Sequence, residues 1–243
     1  MQYWSLTDPG CVRSQNQDAF QVVKLDRSTL LCVVCDGMGG AKAGNVASAL
    51  ASDVFVQEVR HHYHSGMSQQ TLDEMLDRAV KQANFAVFDQ SHRFEEFSGM
   101  GTTLVAALIR NKTTTVVNVG DSRVYRITDD GIEQITVDHS LVQLMLQRGE
   151  LTPEQARSFP GKNYITRAIG TEPEVKCDIF HVDLKRGDHM LLCSDGLTNL
   201  VHDQEILFEI VHGMDQEQCC QRLLAIAINR GAPDNVTSVL VQI

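Results

Sequence analysis

The sequence predicts an α+β fold in which antiparallel strands and amphipathic helices pack in layers. Three strand candidates, at residues 102–109, 113–118 and 123–127, follow one another with only tight turns between them. Connections this short force neighbouring strands to be antiparallel. Apolar residues at helical spacing precede them, first in residues 44–61 and then in residues 72–87. Antiparallel strands alternating with helix pairs favour a layered domain over a doubly wound parallel sheet, although periodicity leaves the number of sheets open.

The remaining elements are predicted from the same two periodicities. Further strand candidates lie at residues 19–25, 30–35, 175–182, 189–194 and 235–242. Further helical patterns cover residues 140–159, 203–212 and 216–229.

Length and composition predict one folded unit that covers residues 1–243. The chain has 43% hydrophobic residues, which is enough to bury a substantial core, and no linker or repeat divides it. Its apolar runs are far shorter than the ~20 residues that cross a bilayer, and the amino terminus lacks the pattern of a secretory signal. We expect a cytoplasmic monomer without a membrane partner.

The charge balance is acidic, with a net charge of −10 from 21 basic and 31 acidic residues. Such a chain offers no general basic surface to a nucleic-acid backbone, so we expect no nucleic-acid partner. An acidic protein that handled phosphate would need local positive charge from a few arginines or from bound metal ions.

The seven cysteines are predicted to be reduced thiols, because their number is odd and their spacing is not that of a metal finger. Cys32 and Cys35 form a CxxC pair. Residues three apart in a strand point to opposite faces, so both are predicted to be buried in the core rather than to bind a metal together.

Four aspartates stand next to the ends of apolar strand candidates. Asp36 and Asp195 each follow a strand and precede a glycine, Asp121 follows a glycine, and Asp234 comes just before the last strand. A carboxylate at a strand end is rigidly held, and a neighbouring glycine lets backbone or substrate approach closely. If these carboxylates converge, they repel one another unless cations are bound. Oxygen ligands of this kind suit Mg²⁺ or Mn²⁺.

An isolated Asp-Gly pair is usually an ordinary turn, but here the pairs belong to longer motifs in a fixed order. The motifs are Asp8-x-Gly10-x-x-Arg13-x-x-Asn16-Gln17-Asp18, Asp36-Gly37-Met38-Gly39-Gly40, Gly99-Met100-Gly101-Thr102-Thr103, Val119-Gly120-Asp121-Ser122-Arg123, Ser194-Asp195-Gly196 and Asp234-Asn235. With these motifs the sequence closely resembles the PP2C-type protein phosphatases, particularly their compact bacterial members. The resemblance extends from about Thr7 to Val241.

The resemblance implies a four-layer α-β-β-α sandwich, with two central antiparallel sheets flanked by helices and a metal centre in a cleft at one end. It also implies a metal-dependent protein serine/threonine phosphatase. Such an enzyme hydrolyses phosphoserine and phosphothreonine by means of a metal-activated water at a binuclear Mn²⁺ or Mg²⁺ centre. The partners would be phosphoproteins, in particular the targets of a cognate serine/threonine kinase.

The resemblance also assigns the metal ligands. Asp36 matches the carboxylate that bridges two ions, with the Gly37 carbonyl on one ion and Asp195 and Asp234 on the other. Asp121, together with Asp195, matches the position that holds a third, weaker ion in bacterial relatives.

Two further residues match positions near the metals. Arg13 matches the phosphate-binding arginine, and its planar guanidinium can hold two phosphate oxygens at once. Asp18 matches an outer-sphere residue that acts through bound water. Asp36, Asp195, Asp234 and Arg13 are therefore the predicted catalytic set, and no covalent phospho-enzyme is required.

Some positions depart from common family patterns. Met38 stands where many eukaryotic members have histidine, so the general acid is unassigned and metal-bound water is the default. Gln17 and Asn45 replace acidic residues that are frequent in the family, which removes charge around the predicted centre.

A flap is expected at about residues 140–165, bordering the cleft. It either contacts substrate or only packs its apolar residues, and both interpretations stay open. His139, just before it, is given a structural role. The competing functional hypothesis is a catalytically silent relative that binds phosphoproteins; the predicted metal aspartates are all present, which argues against it.

Overall fold

The computed structural model describes residues 1–40, 43–157, 159–161, 163–213 and 215–243. The strands are β1 (Gln2–Asp8), β2 (Asp18–Lys24), β3 (Thr29–Met38), β4 (Gly101–Thr102), β5 (Leu104–Arg110), β6 (Thr113–Val119), β7 (Arg123–Thr128), β8 (Gly131–Gln134), β9 (Asp178–Asp183), β10 (His189–Cys193) and β11 (Val236–Gln242). The helices are α1 (Ala43–His62), α2 (Gln69–Arg93), α3 (Leu141–Gln147), α4 (Pro153–Arg157), α5 (Asp195–Thr198), α6 (Asp203–His212) and α7 (Gln216–Asn229), with a 3₁₀ turn at Glu95–Phe97.

The strands form two sheets in which the paired neighbours are antiparallel. The first sheet has the order β1-β11-β10-β7-β8, and the second has the order β2-β3-β5-β6-β9, with the short β4 paired to β3. The expected fold class, an α+β sandwich with two central antiparallel sheets, is therefore confirmed.

Side-chain alternation along the strands produces the layers. On β3, Cys32 and Val34 point into the core between the two sheets, whereas Val33 and Cys35 point towards the helices. Both cysteines are fully buried on opposite faces, as their spacing predicted. The core between the sheets also contains Val105, Val116, Met190, Leu192, Val239 and Val241.

Helices cover the outer face of each sheet. The helices α1 and α2 pack on the second sheet, where Phe55 is fully buried, and α6 and α7 pack on the first, where Ile206 and Leu223 are fully buried. Burying a side chain of this size stabilises the fold by about 1.5–3 kcal/mol. The resulting rigid layers hold the loops at the strand ends in place.

One local prediction needs correction, and two strands were missed. Where one helix was predicted over residues 140–159, the structure has two short helices, α3 and α4, and Gly149 with a φ of 71° follows the end of α3. The amino-terminal β1 and the four-residue β8 were not predicted. Ser158 and Lys162 of the expected flap lie outside the described residues. None of the helices in the described ranges is long and apolar enough to cross a membrane.

Candidate metal centre and phosphate site

The structure brings the predicted aspartates to one end of the two sheets. Asp36 lies near the end of β3, and Asp18 opens β2 directly opposite it in the strand register. Asp195 follows β10 and Asp234 precedes β11, which pairs with β10. Asp121 lies in the turn between β6 and β7. Five carboxylates that are far apart in the chain thus meet where the strands end.

The backbone of Asp36 is fixed by the Thr102-Thr103 pair. The Asp36 amide donates to Thr103 Oγ1 at 2.9 Å, and its carbonyl oxygen accepts from Thr103 N at 2.9 Å and from Thr102 Oγ1 at 2.8 Å. Thr103 Oγ1 also hydrogen-bonds to the buried Ser122 Oγ at 2.7 Å. The Gly-Met-Gly-Thr-Thr motif therefore supports the carboxylate motif from the neighbouring strands.

Two motif glycines stand where no side chain fits. A Cβ on Gly37 would lie 2.1 Å from the Gly44 carbonyl oxygen, and a Cβ on Gly196 would lie 1.9 Å from the Asn235 carbonyl oxygen. Both distances are far below contact distance, so these residues are glycine because backbone packs directly against backbone.

Asp195 and Asp18 are oriented by hydrogen bonds from neighbouring side chains. Asp195 Oδ2 accepts from Asn199 Nδ2 at 2.8 Å, and Asp18 Oδ2 accepts from Ser194 Oγ at 2.8 Å. Asp18 Oδ1 is buried and has no hydrogen-bond partner among the described residues. A buried carboxylate oxygen without a partner is unfavourable unless water or a cation satisfies it.

The carboxylates perturb one another strongly. Burial, and then the charges of Asp18, Asp195, Asp121 and Asp234, raise the pKa of Asp36 well above its usual range. Burial and the Asp234 charge raise the pKa of Asp195. Burial is the first cause for the other two as well, raising the pKa of Asp121 to about 8 and that of Asp18 to about 6. The cluster as a whole therefore favours positive charge next to it.

The predicted donor set has the chemistry that hard divalent cations prefer. It consists of carboxylate oxygens and the Gly37 carbonyl, without thiolate or imidazole, which suits Mg²⁺ or Mn²⁺. Within the described ranges, no group of three or more His, Cys, Asp or Glu side chains is arranged so that it could hold a metal ion by itself. The carboxylates are nevertheless close enough to interact, because, besides burial, the charges of Asp195, Asp121 and Asp234 help to raise the pKa of Asp36. The unpartnered Asp18 oxygen and the raised pKa values are the observations that indicate a cation here.

Arg13 lies beside this cluster, at the surface. Its Nη2 is 2.8 Å from Asp234 Oδ2, and its side chain is 51% exposed. Contact with Asp234, supported by the charges of Asp36 and Asp195, raises the pKa of Arg13 further above its usual value. The predicted phosphate-binding residue is thus next to the predicted metal ligands and open to solvent.

Sequence reasoning missed Arg123 and Asp138. Arg123 donates to Asp138 from Nε at 3.0 Å and from Nη2 at 2.7 Å, and from Nη1 to the Tyr125 hydroxyl at 3.0 Å. Arg123 belongs to a motif that was noticed, but only Asp121 was selected from it. The sequence shows Arg123 at the end of Gly-Asp-Ser-Arg and Asp138 just before His139. That these two residues pair depends on how the chain turns between them, which no sequence pattern shows.

A cavity of about 550 Å³ opens beside Asp121 and Asp195. Its lining includes Val142 and Leu146 on α3 of the flap and His202 just before α6. No residue of α3 is buried. The apolar residues of α3 are thus only partly covered, and substrate contact and plain packing both remain possible roles of the flap.

Comparisons with known proteins point to one family. The model of the family described as protein phosphatase 2C matches residues 12–226. The serine/threonine phosphatase Stp of Listeria innocua is 34% identical over 236 residues, which is 97% of this chain and 93% of the relative. The crystal structure of the serine/threonine phosphatase Stp1 from Staphylococcus aureus superposes with a TM-score of 0.92 at 38% identity, covering 99% of this chain and 94% of that one. The catalytic domain of the phosphatase PstP in complex with two manganese ions superposes with a TM-score of 0.86 at 34% identity, covering 99% of this chain and 97% of that one.

Proposed function

The chain belongs to the protein phosphatase 2C family, and we propose that it removes phosphate from serine and threonine side chains of proteins. It is a metal-dependent phosphoric monoester hydrolase. The observation that supports this best is the pairing of opposite charges at one place. Carboxylates whose pKa values are raised by burial and by one another lie beside an exposed arginine, Arg13. Bound cations would stabilise the carboxylates, and the arginine can bind a phosphate.

Asp36, the Gly37 carbonyl, Asp195 and Asp234 would hold two Mn²⁺ or Mg²⁺ ions. Asp121, with Asp195, would hold a third, weaker one. Bound ions of this kind supply a water of lowered pKa and positive charge for the phosphate oxygens. Asp36, Asp195 and Asp234 fix where that charge lies, because each is anchored at a strand end.

Arg13 binds and orients the phosphate. Its guanidinium can hold two phosphate oxygens, which leaves the bond to the serine or threonine oxygen pointing away from the arginine. Asp18 has one carboxylate oxygen without a protein partner, so it can accept a hydrogen bond from water beside Asp36. Met38 offers no proton, so we propose that water, rather than this side chain, protonates the departing oxygen.

The cavity between the flap and α6 is proposed to receive the chain that flanks the phosphorylated residue. It lies directly beside Asp121 and Asp195 and has an apolar wall on α3. The substrates would be phosphoproteins modified by a cognate serine/threonine kinase, and the enzyme would act as a monomer. A cytoplasmic location is supported by the seven cysteines, which are all free thiols.

The decisive experiment measures phosphate release from a phosphothreonine peptide with added Mn²⁺ and after chelation. We expect chelation to abolish turnover, and Asp36→Asn and Asp195→Asn each to reduce it by more than about 100-fold, since loss of even an outer-shell partner costs 10–100-fold. Asp130→Asn, an exposed turn residue, is the matched control and should keep full activity.

Equal turnover with and without chelator, or full activity in both site variants, would reject the metal-dependent mechanism. Tight Mn²⁺ binding without turnover on any phosphopeptide would favour the catalytically silent alternative.

A further inference from the structure

His139 lies where the β6–β7 turn, the flap and the start of β9 meet, and only 7% of it is exposed. Its amide donates to the Gly120 carbonyl oxygen at 2.9 Å, and its own carbonyl oxygen accepts from Thr166 N at 2.7 Å. The residue therefore connects the backbone just before Asp121 with the far end of the flap.

The His139 side chain holds Gly120 a second time. The Gly120 amide donates to His139 Nδ1 at 3.0 Å, so both polar backbone groups of Gly120 are bound to His139. Gly120 has a φ of 110°, and a Cβ there would lie 2.6 Å from Thr103 Cγ2. The peptide that precedes Asp121 is consequently held in a conformation that only glycine adopts easily.

The hydrogen bonds define the tautomer of His139. Nδ1 accepts a hydrogen bond, so Nε2 carries the proton and donates it to Asp178 Oδ2 at 3.1 Å. Arg167 Nη1 lies 3.0 Å from Nε2 and donates to Asp178 Oδ1 at 2.9 Å and to the Lys176 carbonyl oxygen at 3.0 Å. Burial lowers the pKa of His139, consistent with a neutral ring. Asp178 thus orients the imidazole as a carboxylate orients a metal-ligating histidine.

The two ends of the flap are joined immediately beyond this residue. Ser140 and Ile165 form an isolated antiparallel bridge, and the Leu141 amide donates to the Tyr164 carbonyl oxygen at 2.8 Å. A shift of His139 would therefore move the base of the flap and the Asp121 turn together.

We infer that His139 is a positioning residue that aims the Asp121 carboxylate and sets the base of the flap relative to it. The inference rests on the proposed function in one respect, namely that Asp121 is a ligand of the third, weakest ion. It goes beyond the structural role given to His139 by its sequence context, because it makes ion binding at Asp121 depend on an imidazole that touches no ion.

The test is Mn²⁺ binding to the whole chain, measured by titration calorimetry, together with turnover. His139→Leu removes the acceptor for the Gly120 amide, and we expect the weakest Mn²⁺ to bind about 10–100-fold less tightly while the two tighter ions are unaffected. His139→Asn is similar in shape to leucine and places Oδ1 near the position of Nδ1, so it should restore most of the affinity. In an Asp121→Asn background, His139→Leu should have no further effect.

The matched control is His181→Leu, since His181, on β9, is likewise paired with a carboxylate, Asp73, at 3.0 Å but is exposed. It should leave all Mn²⁺ affinities unchanged. If His139→Leu does not fold, His139→Gln replaces it, because glutamine reaches Asp178 but not Gly120 and should bind the weakest ion less tightly than the asparagine variant.

Equal affinities in the leucine and asparagine variants, a glutamine variant that equals or exceeds asparagine, or additive effects of His139→Leu and Asp121→Asn would overturn the inference. The proposed function would stand in each of these cases, because the two tighter ions and turnover are measured in the same samples. If Asp121→Asn alone left every Mn²⁺ affinity unchanged, the third-ion assignment would fall and the inference with it.

Discussion

Arg13 and Asp234 form an ion pair at the mouth of the site, and its exposure matters for function. The two groups are 2.8 Å apart, with side chains 51% and 34% exposed. Exposed pairs of this kind contribute only about 0–1 kcal/mol. Asp234 is also a predicted metal ligand. Breaking the ion pair therefore costs little free energy, and it frees Arg13 to bind a phosphate and Asp234 to bind an ion.

Replacement of Arg13 by alanine should mainly weaken phosphate recognition. A hydrogen bond to a charged group is worth ~1.5–3 kcal/mol, so kcat/KM for a phosphothreonine peptide should fall by about 10–150-fold. Arg13→Lys should recover part of the loss, because an ammonium keeps the charge but not the two-point geometry. Steady-state kinetics with saturating Mn²⁺ would measure both variants.

Arg27→Ala is the control, since Arg27 is exposed in the turn between β2 and β3. An Arg13→Ala enzyme with unchanged KM and kcat would remove Arg13 from the phosphate site.

At this scale the sequence identified the charged residues but not what holds them. Asp36, Asp121 and Asp195 could be selected because each stands next to a glycine at a strand end. The supporting bonds could not, because Thr103 lies 67 residues from Asp36 and Asp178 lies 39 residues from His139. Such partners become visible only when the strands are in register.

Among the elements, the flap begins with a helix that is only weakly attached to the core. Its first helix, α3, has no buried residue, and Leu144 on it is 38% exposed. Val142 and Leu146 instead line the cavity beside Asp121 and Asp195. Mutations on the two faces of this short helix can therefore distinguish the effect of losing a cavity contact from the effect of changing an exposed side chain.

Leu146→Gln should weaken phosphoprotein binding without affecting the chemistry. Losing an apolar contact of this size is worth ~1–3 kcal/mol, so KM for a phosphoprotein should rise by about 10–200-fold. Turnover of p-nitrophenyl phosphate, which is too small to span the cavity, should change little. Parallel assays of the two substrates provide the measurement.

Leu144→Gln makes the same chemical change on the same helix outside the cavity, and it should alter neither assay. If both leucine variants affect the two substrates equally, the cavity is not the substrate channel.

The long elements were predicted well, and the failures have physical causes. The helix α6 (Asp203–His212) was predicted to the residue, because its apolar spacing and its capping residues agree. Residues 140–159 were predicted as one helix, since local periodicity does not reveal that the chain must turn at Gly149 to follow the cleft. β8 is only four residues long, which is too short for an alternating pattern to be recognised.

Considered as a whole, the molecule concentrates negative charge at one end of the sandwich, and this opposes its stability. Asp18, Asp36, Asp121 and Asp195 all have pKa values raised by burial and by neighbouring carboxylates. A functional site that is unfavourable for the fold is a common trade-off between stability and activity. Metal ions that bind the folded chain would reverse it.

Added Mn²⁺ should therefore raise the thermal unfolding temperature. At a free concentration 100 times the Kd, one ion adds ~2.7 kcal/mol, and ~2–4 °C per kcal/mol in a chain of this size gives a rise of about 5–10 °C. Asp36→Asn should lose most of this rise. In chelator the same variant should be more stable than the unmodified chain by a few degrees, because it removes one of the repelling charges.

Differential scanning calorimetry with and without chelator would measure both effects, with Asp130→Asn as the control. A chelated Asp36→Asn variant that is less stable than the unmodified chain would show that Asp36 stabilises the fold and is not held there against repulsion.

The sequence by itself determined the fold class, the ordered carboxylate motifs, the need for a cation and the family resemblance, because strand periodicity, charge and glycine placement are local properties. The tertiary structure alone decided that Asp18 pairs with Asp36 across β2 and β3 and that Arg13 forms an ion pair with Asp234. It also decided that His139 hydrogen-bonds to Gly120 at the base of the flap. These contacts join residues 18 to 221 positions apart. Only sheet register and the packing of the two sheets bring such residues together, and neither is encoded in any short stretch of the chain.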